Sequence, residues 1–169
     1  MPEFEKQILV AGVGNAWMLD DGFGSVVAQR LEGREMPSGV KVMDAGSGGL
    51  DLAYEIMRGY HALVLVDVSR QGGEPGTLYV LEPELADFAG AIEDGETISP
   101  HAMDPGSMLR FVNAIGGFSG KIVVIGCEPG DVDTVGLGLT PPVAAAVERA
   151  LALVGETIAT LRTDEAYER

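Results

Sequence analysis

Short, continuous apolar runs alternate along the chain with longer segments in which apolar residues recur at helical spacing. The apolar runs lie at residues 8–13, 40–43, 62–68 and 121–127. Each is bounded by Gly or Asp, a pattern typical of strands buried on both faces of a parallel sheet. The helical spacing covers residues 22–31, 49–58 and 105–115. This alternation predicts an open α/β sheet with helical crossovers.

Two further segments complete the predicted architecture. The clearest helix begins behind Thr140 as a cap, with Pro141 in its first turn. Its apolar positions recur three and four residues apart: Val143, Val147, Ala150, Val154, Ile158 and Leu161. Residues 77–81 (TLYVL) follow the third strand after a Gly/Pro-rich link that is too short for a helical crossover. We therefore predict an antiparallel strand there.

Chain length and composition predict one globular domain. The 169 residues are 46% hydrophobic and 22% charged, enough apolar material for a core. We place the single α/β domain at residues 1–161 and a short charged tail at residues 162–169. No internal repeat or linker divides the chain.

The net charge limits the partners that we expect, and the apolar runs and the N-terminus indicate the location. Eleven Lys and Arg against 26 Asp and Glu give a net charge of -15, which repels phosphate backbones and anionic lipid. We therefore expect neither nucleic acid nor a membrane as partner. No apolar run approaches the roughly 20 residues that cross a bilayer, and the N-terminus lacks a secretory pattern. The sequence thus predicts a cytoplasmic protein.

Several familiar motifs fail on spacing. The Gly-rich turn after the first strand has Trp17 where a dinucleotide-binding turn needs its third glycine. Gly120-Lys121 lacks the remaining residues of a phosphate loop, and no G-x-S-x-G elbow exists. The single cysteine, Cys127, excludes an internal disulfide and has no local base, so we interpret it as buried filler.

The candidate chemistry lies at the carboxyl ends of the predicted strands, where ligands bind in open α/β sheets. These residues are Asp20, Asp21, Asp44, Asp67 and, in the long acidic loop 82–104, His101. Asp67 sits inside an apolar run, so it requires a hydrogen-bonding partner, a cation or access to solvent. Taken singly, the other three acids are as readily explained as helix caps or loop residues.

Six segments, in order, resemble one protein family. GVGNAWMLDDGFG is similar to the family opening G-x-G-N-x-L-x-x-D-E-G-x-G, and MDAGSGGLDL is similar to its D-G-G-T-x-G-x-x-L segment. LVLVDV carries the strand-borne Asp, and PGTLYVLE, SPHAM and GLGLTPPV follow. The family is that of the hydrogenase maturation endopeptidases, which trim the C-terminal extension from the large-subunit precursor of nickel-iron hydrogenases.

The resemblance implies a fold and a site. The fold is a three-layer α/β/α sandwich with a five-stranded mixed sheet in the order 2-1-3-5-4, strand 4 being antiparallel. The family's catalytic residues and metal ligands fall on Asp21, Asp67 and His101. They engage the nickel already inserted in the precursor, and another divalent cation can occupy the site in vitro. A monomer is also implied.

One departure from the family pattern leaves an alternative open. The family's Asp-Glu pair is Asp20-Asp21 here, so the first ligand is shorter by one methylene, roughly 1.5 Å of reach. We keep Asp21 as the ligand, with Asp20 in reserve and Asp44 as a supporting residue that could orient His101. The first hypothesis is an endopeptidase of the hydrogenase large-subunit precursor. The second is a non-catalytic nickel- or precursor-binding maturation chaperone of the same fold.

Overall fold

The strands and helices appear in the predicted alternation. The computed structural model describes residues 7–47, 49–84, 110, 113 and 118–163, to which every structural statement below refers. The strands are β1 (Ile8–Val13), β2 (Val40–Gly46), β3 (Ala62–Val68), β4 (Leu78–Leu81) and β5 (Lys121–Cys127). The helices are α1 (Phe23–Glu32), α2 (Gly49–Met57) and α3 (Pro141–Thr163), and a 3-10 turn covers Leu19–Gly22.

The five strands form one mixed sheet in the order β2-β1-β3-β5-β4. β1 lies parallel between β2 and β3, and β3 is parallel to β5, with Asp67 opposite Gly126. β4 runs antiparallel to β5, with Tyr79 opposite Gly126. The predicted strand order and the antiparallel TLYVL strand are both confirmed.

The sheet is buried on both faces, which makes three layers. Every residue of β1 is buried, because alternate side chains of one strand face opposite layers. Ile8 and Val10 belong to the apolar cluster that includes α1 and α3. Leu9 and Ala11 belong to the cluster on the other face, which includes α2. The α/β/α sandwich is therefore confirmed, and its carboxyl edge is left for the loops that follow β1, β2 and β3.

Some predictions fall outside the described residues. The SPH segment with His101 and most of the acidic loop 82–104 lie there. Within the predicted helix at residues 105–115 only Arg110 and Asn113 are described, and both are helical. α3 extends to Thr163. Arg162 and Thr163, the first two residues of the predicted charged tail, therefore belong to the helix. None of the described helices combines the length and apolarity needed to span a membrane.

Candidate functional site

Three of the candidate acids lie at one edge of the sheet. β1, β2 and β3 are parallel, so their carboxyl ends meet at the same edge. Asp67 is the penultimate residue of β3, and Asp44 lies near the end of β2. Asp21 lies in the 3-10 turn that follows the loop after β1. The topology thus brings residues far apart in sequence to one place.

Gly14 is the point at which the first loop meets β3. Its φ of 138° favours glycine, and a Cβ atom built there would lie 1.9 Å from the carbonyl oxygen of Asp21. The same Cβ position is 3.3 Å from Oδ1 of Asp67. The backbone carbonyl of Asp21 and the Asp67 carboxylate therefore approach one point, and they do so only because residue 14 has no side chain.

Asp67 is a buried carboxylate that the backbone orients. It is 5% exposed, and its Oδ1 accepts a hydrogen bond of 2.7 Å from the backbone N–H of Val68. This bond meets the expectation that a strand-embedded acid has a hydrogen-bonding partner. The carboxylate is held in place at the end of a central strand, which is a rigid support for a site.

Asp21 is half-buried and closes the first loop on itself. Its Oδ2 accepts a hydrogen bond of 2.9 Å from the backbone N–H of Asn15. Donors in the described part of the chain reach only this one of its two carboxylate oxygens. The side chain is therefore oriented by the loop while retaining capacity to accept another ligand.

Asp20, the adjacent acid, is completely buried and has a different task. One of its oxygens accepts hydrogen bonds from the backbone N–H groups of Gly130 and Asp131, at 2.8 and 2.9 Å. Thr140 donates both its backbone N–H and its hydroxyl to the carboxylate, each at 2.7 Å. Burial raises the pKa of Asp20, but these hydrogen bonds outweigh it and hold the pKa below its usual value. Both oxygens are thus engaged in fixing the segment 129–140, a supporting role.

Asp44 joins β2 to α1. Its Oδ1 accepts from the Ser25 hydroxyl at 2.8 Å and from the backbone N–H of Gly46 at 3.1 Å. Its Oδ2 accepts from the Gln29 amide at 2.9 Å. Asp44 also lines a cleft of about 270 Å³ at the sheet edge, together with Gly14 and Trp17. Whether it orients His101 stays a prediction, because His101 lies outside the described residues.

The described residues include two of the three ligands that the family resemblance implies, Asp21 and Asp67. Among residues 7–47, 49–84, 110, 113 and 118–163, no group of three or more His, Cys, Asp or Glu side chains is placed to hold a metal ion. What the structure brings together at Gly14 is the backbone carbonyl of Asp21 and the carboxylate of Asp67. The third implied ligand, His101, stays a prediction.

Cys127 is buried as the sequence indicated. It is 0% exposed, and burial, followed by repulsion from the nearby Asp20 charge, raises the pKa of its thiol to about 11. The thiol is therefore protonated near neutral pH, where a cysteine nucleophile needs to be a thiolate.

Sequence reasoning missed Glu128, a buried carboxylate just after β5. Its Oε1 accepts hydrogen bonds from the backbone N–H groups of Gln71 and Gly73 and from the Tyr79 hydroxyl. Burial raises the pKa of Glu128, but these hydrogen bonds outweigh burial and hold the pKa below its usual value. The signal was present, because Glu128 directly follows a buried strand, just as Asp44 and Asp67 lie near the carboxyl ends of theirs. Its bonds fix the loop between β3 and β4.

The fold and the candidate site define a class of protein: a three-layer α/β protein with acidic residues at the carboxyl edge of its parallel strands. A family model described as hydrogenase maturation protease matches residues 26–157. A solved structure, the hydrogenase maturating endopeptidase HybD from E. coli, matches with a TM-score of 0.70 and 31% identity over 92% of each chain.

Two relatives match most of the chain. The chain is 32% identical to the coenzyme F420 hydrogenase subunit delta of Methanothermobacter thermautotrophicus, covering 92% of this chain and 96% of that one. It is 30% identical to the hydrogenase 2 maturation protease of Escherichia coli, covering 86% of each. The chain belongs to the hydrogenase maturation protease family, and it is a hydrolase of peptide bonds.

Proposed function

We propose that this chain removes the C-terminal extension from the nickel-loaded large-subunit precursor of a nickel-iron hydrogenase. The observation that supports this most directly is that the backbone of Asp21 and the buried Asp67 carboxylate meet at Gly14, on the ligand-binding edge of the family fold. The E. coli relatives are described as a hydrogenase 2 maturation protease and a hydrogenase maturating endopeptidase. The methanogen relative is described as a hydrogenase subunit.

In this proposal the nickel arrives with the substrate. Two carboxylates and one neutral imidazole, from Asp21, Asp67 and His101, suit a borderline divalent ion and leave coordination positions for precursor groups or water. Another divalent cation takes the same place in vitro. The acids are oriented before the precursor binds, Asp67 by the Val68 N–H and Asp21 by the Asn15 N–H. Little reorganisation is then needed when the metal enters.

The proposed reaction is hydrolysis. One water is consumed, the peptide C–N bond breaks, and the products are a new C-terminal carboxylate on the mature subunit and an amine on the released fragment. A divalent metal promotes such a step by polarising the carbonyl or by lowering the pKa of bound water. A cysteine nucleophile has no support, because the Cys127 thiol is buried and protonated.

Mass spectrometry of the precursor tests the proposal. The purified protein is incubated with nickel-loaded and with metal-free precursor, and we expect loss of a C-terminal fragment from the loaded form only. Asp67→Asn, which keeps the shape of the side chain, should abolish this loss. Glu156→Gln, an equal change of charge on the exposed surface of α3, should leave it unchanged.

Two results would count against the proposal. Equal cleavage of the metal-free precursor would refute nickel gating. An intact precursor in both forms, with the complex still formed, would favour a non-catalytic nickel- or precursor-binding chaperone. The departure that motivates this second function is Asp21 in place of the family's Glu.

A further inference from the structure

Three large apolar side chains are exposed at the edge of the sheet that carries the site. Trp17, Val135 and Leu137 are 65%, 77% and 67% exposed. They come from the loop after β1 and from the segment 129–140, and we call them the apolar rim. Exposed apolar patches on the order of a few hundred Å² commonly mark interaction sites.

Backbone pairing holds the two halves of the rim together. Met18 and Gly136 form a parallel bridge, in which the Gly136 N–H donates to the Trp17 carbonyl at 2.8 Å. The Leu19 N–H donates to the Gly136 carbonyl at 3.0 Å. This register places Trp17 beside Val135 along the paired segments. A Cβ on Gly136 would lie 3.0 Å from the Leu19 side chain, which therefore covers the backbone between the two exposed residues.

The rim is built on a rigid base. The buried Asp20 carboxylate binds the backbone at Gly130, Asp131 and Thr140, on both sides of the exposed residues. The Asp131 carboxylate in turn accepts from the backbone N–H groups of Asp133 and Thr134. Because these loops are already ordered, a partner that binds the rim loses little further conformational entropy.

The position of the rim points to the occupant. Trp17 lies four residues before Asp21 and lines the same cleft as Gly14 and Asp44. A chain seated on the rim therefore continues directly into the proposed catalytic site.

The charge around the rim indicates the chemistry of that chain. The protein carries a net charge of -15, and Asp131 and Asp133 lie in the segment that bears Val135. Among the ion pairs of the described residues, the one that involves this segment is an exposed contact of 3.9 Å between Arg70 and Asp133. A complementary partner combines apolar residues with basic flanks.

We propose that the apolar rim docks an apolar, basic-flanked segment of the hydrogenase large-subunit precursor beside the bond to be cut. The inference rests on the proposed function and adds the surface by which the substrate is recognised. Contacts of this kind are made equally in the ground state and the transition state, so their loss raises KM and leaves kcat unchanged.

Trp17 supplies a direct probe, because it is the only tryptophan of the chain. Protein produced with fluorinated tryptophan gives a single fluorine NMR resonance, which is followed while unlabelled precursor is added. We expect the resonance to shift on binding. We expect Val135→Ser combined with Leu137→Ser to weaken binding and to raise KM about tenfold, with kcat within about twofold of the parent.

The matched control is Tyr54→Ser combined with Met57→Ser. These side chains are 60% and 51% exposed, and they lie on α2, which runs back from the carboxyl edge of the sheet and ends at the opposite edge. We expect this double variant to bind and process like the parent. A similar loss in the control would mean that apolar exposure in general, not the rim, governs binding, and would overturn the inference.

Other outcomes also decide the inference. An unchanged resonance while size-exclusion chromatography shows a complex would place docking elsewhere, and absence of any complex would refute docking outright. A resonance that shifts with protein concentration alone would identify a second copy of this chain as the occupant. The fluorine signal reports docking whether or not the precursor is cut, so failure of the proposed cleavage is a separate, distinguishable result.

Discussion

Two neighbouring aspartates, Asp20 and Asp21, differ in burial and in hydrogen bonding although they are adjacent in the chain. Asp20 and Asp21 occupy consecutive places in a 3-10 turn, where side chains diverge by about 120°. Asp20 turns into the protein, where its side chain is completely buried and its carboxylate accepts four hydrogen bonds. The Asp21 side chain instead accepts a hydrogen bond from the Asn15 N–H in the first loop and remains half-buried. The same chemical group is therefore a structural anchor in one case and a proposed ligand in the other.

Replacing Asp21 tests the proposed ligand. We expect Asp21→Ala to lower kcat/KM for nickel-loaded precursor by roughly 100-fold, because the metal loses a positioned carboxylate. Asp21→Glu restores the family's residue and should keep most of the activity. Both are measured by the rate of fragment release in mass spectrometry, with circular dichroism to confirm folding. Full activity of the Ala variant would remove Asp21 from the site.

At the scale of elements, buried carboxylates fix the loops that surround the site. Asp20 ties the segment 129–140 to the turn that carries Asp21. Glu128 ties the loop between β3 and β4 to the end of β5 through Gln71, Gly73 and Tyr79. In each case a charge that is costly to bury is stabilised by several donors, most of them backbone N–H groups. The loops are ordered by these bonds rather than by a hydrophobic core of their own.

The Asp20 anchor predicts a pH dependence of stability. The pKa of Asp20 in the folded state lies below the unfolded value near 3.8. The stability that the charged carboxylate contributes is therefore fully present above pH 3.8 and is lost as the pH falls through the folded-state pKa. We expect Asp20→Asn to lower the free energy of unfolding by about 3 kcal/mol at pH 7. The difference between the two proteins should narrow below about pH 4.

Urea unfolding followed across pH measures this difference. Asp133→Asn is the control, since that side chain lies in the same segment and is 93% exposed. We expect the control to change stability by no more than about 0.5 kcal/mol. A difference for Asp20→Asn that stays constant from pH 7 down to pH 2 would contradict the charged anchor.

At the scale of the whole molecule, one sheet contributes side chains to two apolar clusters. α1 and α3 cover one face and α2 covers the other, while β1 and β3 lie between them with their apolar side chains buried. Neither cluster can form without the strands that it shares with the other. We therefore expect the layers to unfold together in one transition.

Leu65→Ala tests this shared core. Leu65 is 0% exposed on β3, in the cluster that includes α2, so its truncation should lower the free energy of unfolding by about 2 to 5 kcal/mol. Leu81→Ala on the edge strand β4, at a residue 39% exposed, should lower it by about 1 kcal/mol or less. Denaturation is followed by near- and far-ultraviolet circular dichroism. Two separate transitions would contradict a single cooperative core.

Much of the fold follows from local sequence pattern. The apolar runs predict β1, β2, β3 and β5, since a strand buried on both faces has no polar alternation. The three-and-four spacing predicts α3, and the short link before TLYVL requires the antiparallel β4. Asp67 and Cys127 are placed correctly because their surroundings are set by the strands that contain them.

The sequence by itself therefore determined the strands and helices, because these depend on residues that are neighbours along the chain. The tertiary structure decided that Asp20 is the acid of the pair that becomes a buried anchor, because its donors lie more than a hundred positions away, at Gly130, Asp131 and Thr140. It also decided that Gly14 meets both Asp21 and Asp67. Such contacts arise only when the packing of the sheet brings distant loops to one edge, where buried charge must find donors wherever the fold supplies them.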